Sequence, residues 1–172
     1  PVRVRLEPLL YGGGQERGLR AGTENVAAIA GFGAAAQEVA AGWQTEAAHM
    51  RKLRDRLEAG VKAATPDVLI FGEELDRLPN TTLFTYPALR AETAVIAFDL
   101  EGVAVSSGSA CSSGKVQPSQ VLAAMGVDPA LARGAIRLSL GHSTTEGCID
   151  RCLKAWIKLS ESLLKGRKTI AA

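Results

Sequence analysis

Met50, Leu53, Leu57 and Val61 recur at i, i+3, i+7 and i+11, while Arg51, Lys52, Arg54, Asp55 and Arg56 cover most of the remaining surface. That spacing gives a helix over about residues 45–64 a single apolar face, which must be buried against another layer. The segments that follow can supply one. Residues 68–71, 81–86 (TTLFTY), 103–105 and 135–140 (AIRLSL) read as short strands, rich in β-branched and aliphatic residues. A helix over 92–100 stops at Gly102. Pro118 occupies the first helical position of another, which runs through Val121, Leu122 and Met125 and stops at Gly126. The last helix opens on Ser143-Thr-Thr-Glu146, a capping-box match, with Cys148, Cys152, Trp156, Leu159 and Leu163 on its buried face and a frayed tail after Gly166.

Ahead of the amphipathic helix, residues 2–6 alternate apolar and basic side chains, which suggests an extended entry. A glycine-rich loop, YGGGQERGLRAGT, follows, and an alanine-rich helix over 24–41 is placed with Thr23 as its cap. The interleaved order predicts an α+β fold, a small mixed or antiparallel sheet covered by helices. The chain has 172 residues, 47% of them hydrophobic, enough for one core. A net charge of +2 predicts neither a nucleic-acid surface nor attraction to acidic membranes, and no apolar run approaches the ~20 residues of a membrane span. The N-terminus opens without Met and reads as if cut from a longer chain. Three cysteines without a disulfide-framework spacing fit a reducing, cytoplasmic setting.

Three stretches could carry chemistry. Cys111 sits in AVSSGSACSSG, among small polar residues that give a thiol exposure and backbone N–H groups, with Lys115 nearby. It reads either as a reactive thiol or as a cysteine in a flexible surface loop. Arg137 lies inside an apolar strand. It either pairs with a carboxylate or phosphate, or faces solvent from an edge strand whose Ile136, Leu138 and Leu140 point inward. The GGGQERGLRAGT loop, with Arg17, Arg20 and Thr23, offers anion-binding donors or forms a tight surface turn. Cys148 and Cys152, at i and i+4, are two ligands where a metal site needs more, so their expected role is core packing. His49 is expected in solvent, and His142 has no evident catalytic partner.

Taken together, YGGGQERGLRAGTENV, VSSGSACSSG and AIRLSLG, in that order, resemble cysteine desulfurases of the NifS/IscS type, pyridoxal-phosphate enzymes of the class V aminotransferase family. The resemblance implies the C-terminal portion of such an enzyme: the end of the large cofactor domain over residues 1–22, then a connecting helix and small domain over 23–172, with the cysteine loop at about 104–116. It implies that Cys111 is the nucleophile that takes sulfur from L-cysteine, leaving L-alanine and a persulfide. It further implies that Arg137 clamps the substrate carboxylate and that Thr23 reaches the pyridoxal phosphate of the partner subunit in a homodimer. The persulfide would pass to an iron–sulfur scaffold or other sulfur acceptor, where Cys111 could also be a transient cluster ligand. The family's cofactor lysine, in a serine-histidine-lysine context, has no counterpart here, so the chain alone is expected to be inactive. The alternative is a non-catalytic dimerisation and sulfur-acceptor module.

Overall fold

The computed structural model describes residues 6–87, 89–107 and 119–170, with side chains to residue 163. The chain divides into two units, Pro1–Trp43 and Gln44–Ala172, and the helix α1 (Val26–Ala64) runs through the boundary. Sequence spacing predicted two helices here, yet one continuous helix of 39 residues forms. Gly42 inside it costs only about 1 kcal/mol against alanine, too little to break a long helix. Asn25 rather than Thr23 is the cap, its Oδ1 accepting from the Ala28 N–H at 3.0 Å.

The first unit is an open loop followed by the start of α1. A short 3-10 helix, Gln15–Gly18, places Glu16 (φ 51°) and Arg17 (φ 59°) in the left-handed region, disfavoured by about 1–2 kcal/mol for each such side chain. Along α1 within this unit Val26, Ile29, Phe32 and Val39 are exposed, Phe32 at 79%.

The second unit holds the core. Its sheet has four antiparallel strands, β1 (Leu69–Ile70), β2 (Thr81–Thr85), β3 (Ser106–Ser107) and β4 (Ile136–Ser139), in the order β1-β2-β4-β3. The helices are the rest of α1, α2 (Ala91–Leu100), α3 (Gln120–Ala124), α4 (Pro129–Arg133) and α5 (Glu146–Ile170). Thr82 and Phe84 of β2 pair with Leu138 and Ile136 of β4, and all four side chains are buried. They form the sheet's inner face, where the Phe84 ring meets Trp156 of α5 edge-on at 5.0 Å. Leu53, Leu57 and Val61 of α1, Ala94 and Phe98 of α2, and Ile149 and Cys152 of α5 complete the core.

Several local expectations are corrected. Residues 103–105 carry no strand; the ladder to β4 begins at Ser106. Ser119 caps α3, its hydroxyl accepting from the Leu122 N–H, so Gln120 and not Pro118 is the first helical residue; Pro118 itself lies outside the described residues, as do 2–5 of the predicted extended entry. Helix α4 was not predicted, although Asp128 capping Ala130 with Pro129 behind it is a regular helix start. Helix α5 begins at Glu146 with Thr145, not Ser143, accepting from the N–H three residues on, and it continues through Gly166 to Ile170. Gly102 does end α2: its φ of 72° suits glycine, and the N–H groups of Gly102 and Val103 close back onto Asp99 and Phe98.

The charged coat of the amphipathic helix is also not wholly outside. Arg54 is buried, donating to the Leu78 carbonyl at 2.9 Å and to Asp55 at 2.7 Å. Glu58 is buried and receives both terminal nitrogens of Arg77 at 2.7 Å. This bidentate pair holds the connection between β1 and β2 against α1, and it raises the Arg77 pKa above the ordinary guanidinium value, chiefly through that hydrogen bond.

Candidate functional site

Strand β4 alternates buried and exposed residues, so Ile136 and Leu138 enter the core and Arg137 stands on the opposite face. The strand is internal, not an edge: Leu83 of β2 is the cross-strand partner of Arg137 on one side and Ser106 of β3 on the other. The Arg137 side chain is exposed and forms no hydrogen bond or ion pair with any described residue. A guanidinium presented this way keeps all its donors for a planar oxyanion such as a carboxylate. Ser107 ends β3 four residues before Cys111, which itself lies outside the described residues. The sheet therefore joins Arg137 to Ser106 and Ser107, the strand residues of the AVSSGSACSSG stretch.

Thr23 belongs to the first unit. It is exposed, and its hydroxyl makes no hydrogen bond among the described residues. Arg20 donates through Nη1 to the carbonyls of Gly22 (2.8 Å) and Thr23 (3.2 Å), which ties its guanidinium to the backbone just ahead of α1. The donor set, one hydroxyl and one guanidinium just ahead of a long helix, fits a phosphate group. Of the described lysines, Lys52, Lys62 and Lys158 are each engaged with a carboxylate, of Glu146, Glu73 and Glu101 respectively.

The two remaining cysteines separate. Cys152 is buried, and burial pushes its thiol up to about 12. Cys148, expected in the core, is exposed because the buried stripe of α5 begins one residue later, at Ile149. The Thr145 hydroxyl lies 3.4 Å from the Cys148 sulfur, and this hydrogen bond is the main cause of a thiol pKa below the ordinary value. Iodoacetamide is therefore expected to alkylate Cys148 well before Cys152, with a rate that rises at lower pH than for a free thiol. Peptide mapping across a pH series checks this, and equal labelling of both would contradict it. Sequence reasoning missed Thr145, although its spacing to Cys148 is that of a cap to the third helical residue. His49 is exposed as expected, with Nε2 3.4 Å from the Thr144 carbonyl.

The chain is similar to known proteins. The profile described as "Aminotransferase class-V" matches residues 2–152. A cysteine desulfurase of Cereibacter sphaeroides is 48% identical over 151 residues, 88% of this chain and 38% of that protein. The cysteine desulfurase NifS of Azotobacter vinelandii is 43% identical over the same share of each. The X-ray structure of a NifS-like protein from Rickettsia africae superposes with a TM-score of 0.80 at 38% identity, covering 92% of this chain and 41% of the other. The chain thus spans about two fifths of the length of the relatives it matches. Its small antiparallel sheet under helices is the corresponding part of those NifS-like folds. By sequence and by fold, the chain belongs to the class-V aminotransferase family.

Proposed function

We propose that this chain is the sulfur-carrying, substrate-binding portion of a pyridoxal-phosphate-dependent cysteine desulfurase. The observation that carries the reading is Arg137, unpaired on the outer face of an internal strand and in register with Ser106, on the strand that leads to Cys111. Its guanidinium binds the substrate carboxylate and orients L-cysteine, and the Cys111 thiolate takes the sulfur atom, leaving L-alanine and a persulfide. The hydroxyl of Thr23 and the guanidinium of Arg20 hold a phosphate, that of the partner subunit in a homodimer. Pyridoxal phosphate, when bound, supplies the electron sink, and a lysine outside the matched positions anchors it. The persulfide then passes to an iron–sulfur scaffold or another acceptor protein, with Cys111 as a transient cluster ligand there. The residues of this chain by themselves do not turn over cysteine, and the enzyme works in the cytoplasm. Residues 1–22 close the large domain, and 23–172 form the connecting helix and small domain.

The test joins this chain to the N-terminal cofactor domain of a NifS relative, adds L-cysteine, and measures alanine together with the mass of the Cys111 peptide. One added sulfur atom on that peptide is expected. Alanine formation with no sulfur on Cys111 would sink the proposal, and binding without turnover would favour the interaction-module reading. In the same preparation Arg137→Gln is expected to raise KM for L-cysteine roughly 10- to 100-fold, the worth of a charge-assisted hydrogen bond of about 1.5–3 kcal/mol. Its thermal midpoint should stay near that of the parent, because the side chain supports nothing in the core. Steady-state kinetics and a melting curve on one sample separate the two effects.

A further inference from the structure

Arg137 sits inside β4, and the two ends of that strand are held in different ways. Past its far end the Leu140 N–H donates to the Asn80 carbonyl at 2.7 Å, which continues the pairing with β2. At the near end that pairing starts only at Ile136, and the chain enters the strand through Gly134, the residue that closes α4. Gly134 is packed to the limit. A Cβ on it would lie 2.5 Å from the Leu89 carbonyl oxygen and 2.7 Å from the Thr85 hydroxyl, well inside van der Waals contact. Its φ is −89°, so glycine is required here by the close approach and not by backbone freedom.

The Thr85 hydroxyl is itself committed. Thr85 ends β2, is fully buried, and donates through Oγ1 to the Leu131 carbonyl at 2.9 Å. The same carbonyl accepts from the Gly134 N–H at 3.1 Å. One oxygen thus ties the end of β2 to the last turn of α4, and the glycine that leads into β4 rests against the hydroxyl that makes the tie. Valine has the shape of threonine and suits a strand equally well, so packing alone does not call for a hydroxyl at this position.

Antiparallel ladder bonds run perpendicular to the strands. They fix the register of β4, and with it the face on which Arg137 stands, but a small slide or tilt of the strand costs them little. The abutment at Gly134 limits that movement, three residues and roughly 10 Å of extended chain from Arg137. A guanidinium that takes a carboxylate through two parallel N–H groups is sensitive to shifts of this size. We propose that Thr85 and Gly134 are positioning residues that set where Arg137 presents its guanidinium. The inference rests on the reading of Arg137 as the carboxylate-binding residue.

The test uses the chain joined to the N-terminal cofactor domain of a NifS relative and measures steady-state kinetics with L-cysteine. Thr85→Val, Thr85→Ser and Gly134→Ala are each made with and without Arg137→Gln. Alanine at 134 must push the entry of β4 away from Thr85 and Leu89, so KM is expected to rise roughly 10-fold, with kcat changed less than about twofold. Thr85→Val is expected to raise KM about 3- to 10-fold in the same way, and Thr85→Ser, which keeps the donor, to stay within about twofold of the parent. On top of Arg137→Gln none of the three adds to KM, because the interaction they act through is already gone. Hydrogen exchange at residues 136–139 is expected to stay as slow as in the parent, which marks a displaced strand and not a melted one. An unchanged KM in Thr85→Val would overturn the proposal, even if Gly134→Ala fails to fold. So would serine as damaging as valine, a KM increase that persists beside Arg137→Gln, or fast exchange across β4. If Arg137→Gln alone leaves KM unchanged, the carboxylate reading itself fails and takes this one with it, an outcome that the Thr85 and Gly134 variants cannot mimic.

Discussion

In the chain joined to a pyridoxal-phosphate domain, Cys111→Ser is expected to abolish persulfide formation and to cut alanine release from L-cysteine by at least on the order of 10³-fold, as loss of a nucleophile does elsewhere. Serine keeps the shape of the side chain and the small polar character of AVSSGSACSSG, so local packing gives no reason for the loss. What changes is the atom. Sulfur is captured by a thiolate, which displaces a carbon-bound sulfur and keeps it as a sulfur–sulfur bond, whereas a hydroxyl is almost wholly protonated near neutral pH. The other two thiols do not substitute. Cys152 is shut in the core with its pKa pushed up to about 12. Cys148 is exposed, with a thiol pKa below the ordinary value, but it lies in the first turn of α5 and not in the AVSSGSACSSG stretch. Sulfur on Cys148 at the parental rate in the Cys111→Ser protein would therefore refute the assignment, and peptide mass spectrometry distinguishes the two sites directly.

Much of this arrangement was legible in the chain, and the losses have physical causes. The stripe Leu53, Leu57, Val61 and the alternation of Ile136 and Leu138 predicted the two faces that meet, because apolar periodicity reports burial directly. Arg54 was misread as solvent-facing because its partner, the Leu78 carbonyl, is supplied by a loop 24 residues away. No local pattern encodes that. The break foreseen between residues 41 and 45 does not form: Gly42 is the one weak helix former there, and its cost is small beside the cooperativity of a helix this long. Cys148 was assigned to the core by the stripe it continues with Cys152, Trp156, Leu159 and Leu163, but a stripe has an end, and the helix begins only at Glu146. Arg137 was legible in a different way. Periodicity put it on the outer face, as observed, while the resemblance to the desulfurases gave that face a ligand; the edge position offered with the solvent-facing reading is not what forms, since β4 lies between β2 and β3.

Trp156→Ala is expected to destabilise the second unit by about 3–5 kcal/mol, the range for removing a large aromatic side chain from a packed core. The indole is fully buried and sits where α5 crosses the sheet, with its ring edge-on to Phe84 at an interplanar angle of 84°. Truncation removes that aromatic pair and leaves a cavity that Leu53, Leu57 and Ile149 can fill only by moving the helices that carry them. One feature acts in the opposite direction. The indole Nε1 has no hydrogen-bond partner among the described residues, and a buried donor left so costs about 1–3 kcal/mol. Trp156→Phe removes the donor and keeps most of the apolar volume, so it is expected to cost far less than alanine, under about 1.5 kcal/mol. Chemical denaturation of the three proteins, with slopes compared to confirm a common unfolded state, measures both differences. If phenylalanine proved as damaging as alanine, the indole nitrogen would have to be satisfied in solution, by a water held in the core, and Trp156 would be a polar anchor of α5 as well as its largest apolar contact.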